Sequence, residues 1–218
     1  LSRLSHLSYG YPMADVVLVH GAASTAAVWN RVVTALRPLT VLAPDRPGTG
    51  NLALEADWLE SISDGAVVFG MSGGATLVLE LAARGSAARA LIAHEPAAGS
   101  HSPELFGPLA AALEADGVGG FGSALYGPRW SPAPGLTKEQ VERDLAMFRS
   151  FEPAPPQHPA VLVTTGAFSP PLRHQISGRL HGLGYPLRTL PGATHFAAAQ
   201  APQQVAALIR ESLDSVGM

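Results

Sequence analysis

The chain has 218 residues, 47% hydrophobic and 14% charged, with a formal net charge of −3 at pH 7. That length suits one sizeable core and is short for two. With a single lysine, Lys138, and no basic cluster, the chain lacks the electrostatic footprint for nucleic acid or an anionic membrane, and a small-molecule partner is expected. The absence of cysteine excludes disulfides, thiolate metal sites and a cysteine nucleophile.

The segment Leu1-Ser-Arg-Leu-Ser-His-Leu-Ser8 does not read as a signal peptide, because no charged region is followed by an apolar run and a small-residue cleavage site. A cytoplasmic location is the default expectation, and the initial Leu leaves room for a removed upstream segment. An early strand is expected near Leu4 to Tyr9. The next strand is Asp15-Val-Val-Leu-Val19, followed by a helix in which Val28, Trp29, Val32, Val33 and Leu36 recur at helical spacing. Ser24 or Thr25 would start that helix and Pro38 would stop it.

Thr40-Val-Leu-Ala43 and Ala66-Val-Val-Phe69 are further strands. After the latter, Leu77, Leu79 and Leu81 fall in a helix opened by Gly73 and closed by Gly85. The apolar stretch from Ala66 to Ala83 is not a membrane span, because Ser72-Gly73-Gly74 and Glu80 interrupt it. Ala90-Leu-Ile-Ala93 is the next strand. From about Ala97 to His158 the alternation breaks into helical pattern rich in Gly and Pro. This region is expected to be an inserted helical lid, and Thr137-Lys-Glu-Gln140 has the spacing of a capping box for its clearest helix, which carries Val141, Leu145, Phe148 and Phe151.

Ala160-Val-Leu-Val-Thr164, a helix through Leu172, Ile176, Leu180 and Leu183, the strand Pro186-Leu-Arg-Thr-Leu190, and a final helix through Val205, Leu208, Ile209 and Val216 complete the pattern. Short apolar runs alternating with amphipathic helices predict an α/β fold, a mostly parallel central sheet with helices on both faces. Residues 1–96 and 159–218 would form the core and 97–158 the lid.

Gly70-Met71-Ser72-Gly73-Gly74 lies between a buried strand and a helix. A sharp strand-to-helix turn needs small residues two positions either side of its apex, and it projects the Ser72 hydroxyl at a helix N-terminus, where developing negative charge is favoured. At the end of the first core strand, His20-Gly21-Ala22-Ala23 lets backbone approach that serine. The N–H of Ala22, with Ala23 as the alternative, would join that of Gly73 in an oxyanion hole, and His20 would hold the loop by hydrogen bonding. Pro191-Gly192-Ala193-Thr194-His195 follows the last strand at the same sheet edge, where His195 can accept the Ser72 proton.

Four motifs in this order, His20-Gly21, Asp45-Arg-Pro-Gly48-Thr-Gly50, Gly70-Met-Ser72-Gly-Gly74 and Gly192-Ala-Thr-His195-Phe196, resemble those of the α/β-hydrolase fold enzymes, of the single-domain lidded type, over nearly the whole chain. The resemblance implies a catalytic triad, and it implies that Asp45 braces a turn. It also implies an acid after the penultimate strand, in a segment like Gly-x-x-Asp-Pro, yet here that stretch is Gly166-Ala-Phe-Ser169-Pro170. Some members take the acid from the strand that follows the elbow helix, and on that pattern Glu95, in His94-Glu95-Pro96, is the substitute; the competing reading is a carboxylate that only anchors a loop. His94 and Asp57 are expected in structural roles.

Met71, Tyr126, Trp130, Phe148 and Phe196 are the candidate substrate-binding residues, a largely apolar set, with Arg129, Arg143 and Arg149 read as solvated. No histidine and carboxylate pairing has metal-ligand spacing, so no metal or other cofactor is expected. The leading expectation is hydrolysis of a small hydrophobic carboxylic ester or lactone through an acyl-serine, and a thioesterase would use the same parts. A non-hydrolytic lyase or cyclase and a ligand-binding protein stay open, because Ser169 stands where the acid is usual.

Overall fold

The computed structural model describes residues 14–128 and 130–215. The early strand expected near Leu4 to Tyr9 lies outside the described residues, as do Arg129 and Val216. Six strands form one sheet: β1 (Val16–Val19), β2 (Val41–Leu42), β3 (Val67–Met71), β4 (Ala90–His94), β5 (Val161–Gly166) and β6 (Leu187–Leu190), in the order β2-β1-β3-β4-β5-β6. Every pair is parallel. All six expected core strands are present, β3 running two residues past its expected end at Phe69.

The α-helices among the described residues are α1 (Asn30–Leu36), α2 (Leu52–Ser61), α3 (Gly73–Arg84), α4 (Pro103–Tyr126), α5 (Lys138–Arg149), α6 (Pro171–Gly182), α7 (Ala197–Gln200) and α8 (Pro202–Ser215). Alternate strand residues face opposite layers, because a strand has a side-chain period of two. Val17, Val19, Val68, Leu91, Ala93 and Val163 pack with Leu77, Leu81 and Ile176 on one face. Val16, Leu18, Val67, Phe69, Met71 and Ile92 pack with Trp29, Val32, Val205 and Ile209 on the other. Burial of both faces is why these strands read as continuous apolar runs.

Helix α3 stops where Gly85 takes the left-handed conformation at φ 74 and its N–H bonds Leu81 O, an end that glycine adopts without steric cost. Helix α2 has no counterpart among the expected elements. Its buried face is only Glu55, Ala56 and Leu59, one of them a carboxylate, so no broad apolar stripe marks it.

Between β4 and β5 the chain makes a helical excursion. Helix α4 breaks at Asp116 and Gly117, which have non-helical φ/ψ, and α5 opens with the expected capping box, Thr137 and Gln140 each satisfying the other's backbone N–H. Phe106, Leu113, Phe121, Val141, Met147 and Phe148 of this segment pack on Ala22 and Ala23. A buried ion cluster adds to the attachment: Arg46 pairs with Glu55 at 2.6 Å and with Asp144 of α5. No helix among the described residues is long and apolar enough to cross a membrane.

Candidate active site

The sheet order reverses between β1 and β3, and in parallel sheets ligand sites lie at the carboxyl ends of strands around such a point. There β3 runs into α3 through Ser72, at φ 57 and ψ −120. The turn is tight enough that a Cβ on Gly74 would sit 2.2 Å from Val19 O, and one on Gly70 would sit 2.4 Å from Gly74 O. Only glycine fits at either position. Three non-glycine residues among those described have positive φ, namely Ala23, Ser72 and Glu95, and all three are at this edge. Residues held in that region cost about 1–3 kcal/mol each and cluster where geometry is over-determined by function.

Glu95 follows β4, its N–H extending the sheet ladder to Thr164 O at 3.0 Å. The loop after β6 brings His195 to it, so that His195 Nδ1 donates to Glu95 Oε2 at 3.0 Å. The other carboxylate oxygen accepts from Gly166 N–H at 2.7 Å and from the Ser169 hydroxyl. Ser169, at the usual position of the acid, is therefore a donor to Glu95. Both partners of the His195–Glu95 pair are buried. Burial opposes the Glu95 charge, but the hydrogen bond from His195 together with the charges of His195, His94 and Arg173 outweighs it and holds the carboxyl well below the usual range. Burial and the Arg173 guanidinium bring His195 down to about 4.

A family model described as "Alpha/beta hydrolase family" matches residues 16–208. The chain belongs to the alpha/beta hydrolase family. It is accordingly a hydrolase. Among solved structures, an alpha/beta hydrolase from Sphaerobacter thermophilus is similar at 26% identity and a TM-score of 0.66, over 91% of this chain and 92% of that one. The carboxylesterase CesB from Bacillus subtilis aligns at 17% identity and TM-score 0.65, over 92% and 83%. The RedJ thioesterase from Streptomyces coelicolor aligns at 19% and 0.63, over 94% and 95%. Among curated proteins no sequence matches.

In this hydrolase Ala22 and Ser72 line one narrow cavity with Phe106, Leu109, Phe121 and Phe148, and Gly73 opens α3 with first-turn N–H groups that have no intrahelical partner. The Phe148 ring lies against Gly73, where a Cβ would meet it at 2.4 Å. The room inside is about 20 Å³, enough for about one water molecule. A larger cavity of about 240 Å³ is lined by His20, Asp45, Arg46 and Asp144 among others, and neither Ser72 nor His195 is in its walls.

Tyr126, the last residue of α4, covers the histidine. Its ring stacks on His195 with centroids 5.6 Å apart, and its hydroxyl donates to Ala22 O at 2.6 Å. Burial pushes the phenol well above its usual range. Phe196 and Trp130 flank the same ring at 4.8 and 6.1 Å. Of the five candidate substrate-binding residues only Phe148 lines the cavity: Tyr126, Trp130 and Phe196 are not in its walls, and Met71 is fully buried with the core residues Phe69 and Trp29.

The remaining polar candidates have structural partners. His20 Nδ1 donates to Gly21 O at 2.8 Å and Nε2 accepts from Arg46 N–H at 3.0 Å, which holds the loop with a neutral ring. Burial brings His20 to about 4. Asp45 accepts from Ala26 N–H at 2.6 Å, bracing the turn before α1. His94 is spent on Thr164 Oγ1 and Thr194 O, each at 3.0 Å. Asp57 pairs on the surface with Arg84. Among the described residues no group of three His, Cys, Asp or Glu could hold a metal ion.

Arg173 is the site residue absent from the sequence expectations. It lies in the first turn of α6, is buried, and lines the Ser72 cavity. Nη2 donates to His195 Nε2 at 3.3 Å, and Nε stands 3.7 Å from Glu95 Oε2. The available signal was its spacing with Ile176, Ser177 and Leu180, all buried on α6: a cation on the inward face of a helix.

Proposed function

We propose that this protein hydrolyses a small carboxylic ester with a hydrophobic acyl chain, lactones and thioesters included, through an acyl-Ser72 intermediate. The observation that carries the reading is the buried hydrogen bond from His195 Nδ1 to Glu95 Oε2 at 3.0 Å, with Ser72 on the neighbouring elbow. That bond fixes the proton on Nδ1 and leaves Nε2 as the base.

In the reaction Ser72 Oγ attacks the carbonyl carbon as its proton passes to His195 Nε2. Glu95 stabilises the imidazolium that results. The N–H groups of Ala22 and Gly73 receive the oxyanion. Collapse breaks the bond to the alcohol or thiol, which takes the proton from His195. Water then gives a proton to His195 and attacks the acyl carbon, and as the bond to Ser72 Oγ breaks His195 returns that proton to the serine, releasing the acid.

The segment 97–158 acts as a lid in this reading, because a cavity of about 20 Å³ admits no ester until α4 and α5 move. The walls supplied by Phe106, Phe121 and Phe148 favour an apolar acyl chain. Likeness to the RedJ thioesterase supports keeping thioesters within the substrate class. The test is a fluorophosphonate adduct on Ser72, located by mass spectrometry, together with release of phenol from short-chain aryl esters. Adduct and turnover are both expected in the wild type and both absent in Ser72→Ala. A folded wild-type protein with neither would refute the reading.

A further inference from the structure

Arg173 is a cation in an otherwise apolar cavity, and its surroundings do not account for it. Glu95, the nearest carboxylate, already accepts from His195, Gly166 N–H and Ser169, and stands 3.7 Å from Arg173 Nε. Among the described residues Nη1 reaches only Glu95 O, at 3.5 Å. Among those residues Nη2 reaches only His195 Nε2, at 3.3 Å. A guanidinium has five N–H donors in a planar fork that matches a carboxylate, and no acceptor; here most of that capacity is unmet.

The contact to Nε2 has a chemical consequence. His195 Nδ1 carries its proton toward Glu95, so Nε2 has a single lone pair, and Arg173 occupies it. That lone pair is the one that must take the Ser72 proton. The cation beside the ring also disfavours the imidazolium that acyl transfer must pass through.

We propose that Arg173 recognises a carboxylate on the substrate, and that its engagement draws the guanidinium off His195 Nε2 and frees the base for Ser72. The proposal rests on the ester-hydrolase reading and names its substrate class: an ester, lactone or thioester with an apolar chain and an anionic group within reach of Arg173. One anion answers both problems at once. It supplies acceptors for a fork that lacks them, and it offsets the positive charge facing the imidazolium in a cavity too dry for solvent to do so.

The test compares esters that differ only in one carboxylate. Mono-p-nitrophenyl adipate against p-nitrophenyl hexanoate places it on the acyl side, and 4-carboxyphenyl hexanoate against phenyl hexanoate places it on the leaving group. Wild-type enzyme is expected to favour the charged member of one pair by about tenfold or more in kcat/KM, the scale of a bidentate charge-assisted contact. In Arg173→Met that preference disappears while turnover of the neutral ester rises, because Nε2 is released. Should Arg173→Met not fold, Arg173→Lys keeps the charge without the fork, and a weakened preference for the same ester is expected. Equal kcat/KM within both pairs for wild type, or a preference unchanged in Arg173→Met, overturns the proposal while the hydrolase reading stands. Failure of both labelling and turnover refutes that reading itself and the proposal with it.

Discussion

Replacing Glu95 by Gln changes one atom and reverses the logic of the triad. Oε1 is held by Gly166 N–H and the Ser169 hydroxyl, so the new amide keeps its oxygen there and turns its NH₂ toward His195 Nδ1, where Oε2 now accepts. A donor facing Nδ1 selects the tautomer with its proton on Nε2, and that nitrogen can no longer take the proton of Ser72. The imidazolium loses its counter-charge as well. A triad acid altered in this way costs about 10⁴ in kcat, which is about 5 kcal/mol of transition-state stabilisation.

The assay is kcat/KM on an aryl ester for both proteins. Because Arg173 also leans on Glu95 at 3.7 Å, the variant loses stability too, and the comparison is made at a temperature where circular dichroism shows both folded. A loss of less than about tenfold, set against the roughly four decades expected, would remove Glu95 from the proton path and leave it a brace for the Gly166–Ser169 loop.

Three further outcomes follow from the same geometry. Ser169→Asp restores a carboxylate to its commonest position but sets it against Glu95 Oε1, which Ser169 now serves as a donor; the introduced group's pKa rises, stability falls as pH climbs through that value, and kcat drops, whereas wild-type activity and a flat stability profile would contradict the assignment. His195, brought down to about 4 by burial and Arg173 with Glu95 opposing, stays a neutral base well below its ordinary value of about 6.5, so the acid limb of kcat/KM is expected near pH 4; a limb near 6.5 would refute this, and Arg173→Met should move the limb upward. Asp144→Ala strips Arg46 of one of its two carboxylates and is expected to cost about 3–5 kcal/mol in urea unfolding while speeding fluorophosphonate labelling of Ser72; unchanged stability would show that the cluster does not tie α5 to the core.

The sheet was legible because each strand is buried on both faces, and α3 because Gly73 and Gly85 bracket it. Ser72 and His195 were legible by place, each at the carboxyl edge after a strand. Glu95 could be named only by position, since its role depends on a turn at φ 45 that no sequence pattern announces. Met71 adjoins Ser72 in the chain but lies in the core and not in the cavity wall. Strand parity places it with Val67 and Phe69, on the face covered by Trp29. Helix α2 was lost because Glu55, buried to meet Arg46, interrupts its apolar stripe. Arg173 was lost because helical spacing is read for apolar residues, and a buried arginine declares itself only once its neighbours are known.

The seat of the acid has a consequence for how this protein can change. With Glu95 supplied by β4, the turn after β5 need not carry the acid: Ser169 serves there as a donor to Glu95, and α6 delivers Arg173 to the same cavity. In the proposed mechanism the bond-breaking apparatus hangs on β3, β4 and the loop after β6, and the one cation of the pocket's wall among the described residues hangs on α6. A library confined to residues 170–176 would therefore vary the pocket wall while leaving Ser72, His195 and Glu95 in the chain, and through Arg173 it would change substrate choice and the basicity of His195 together.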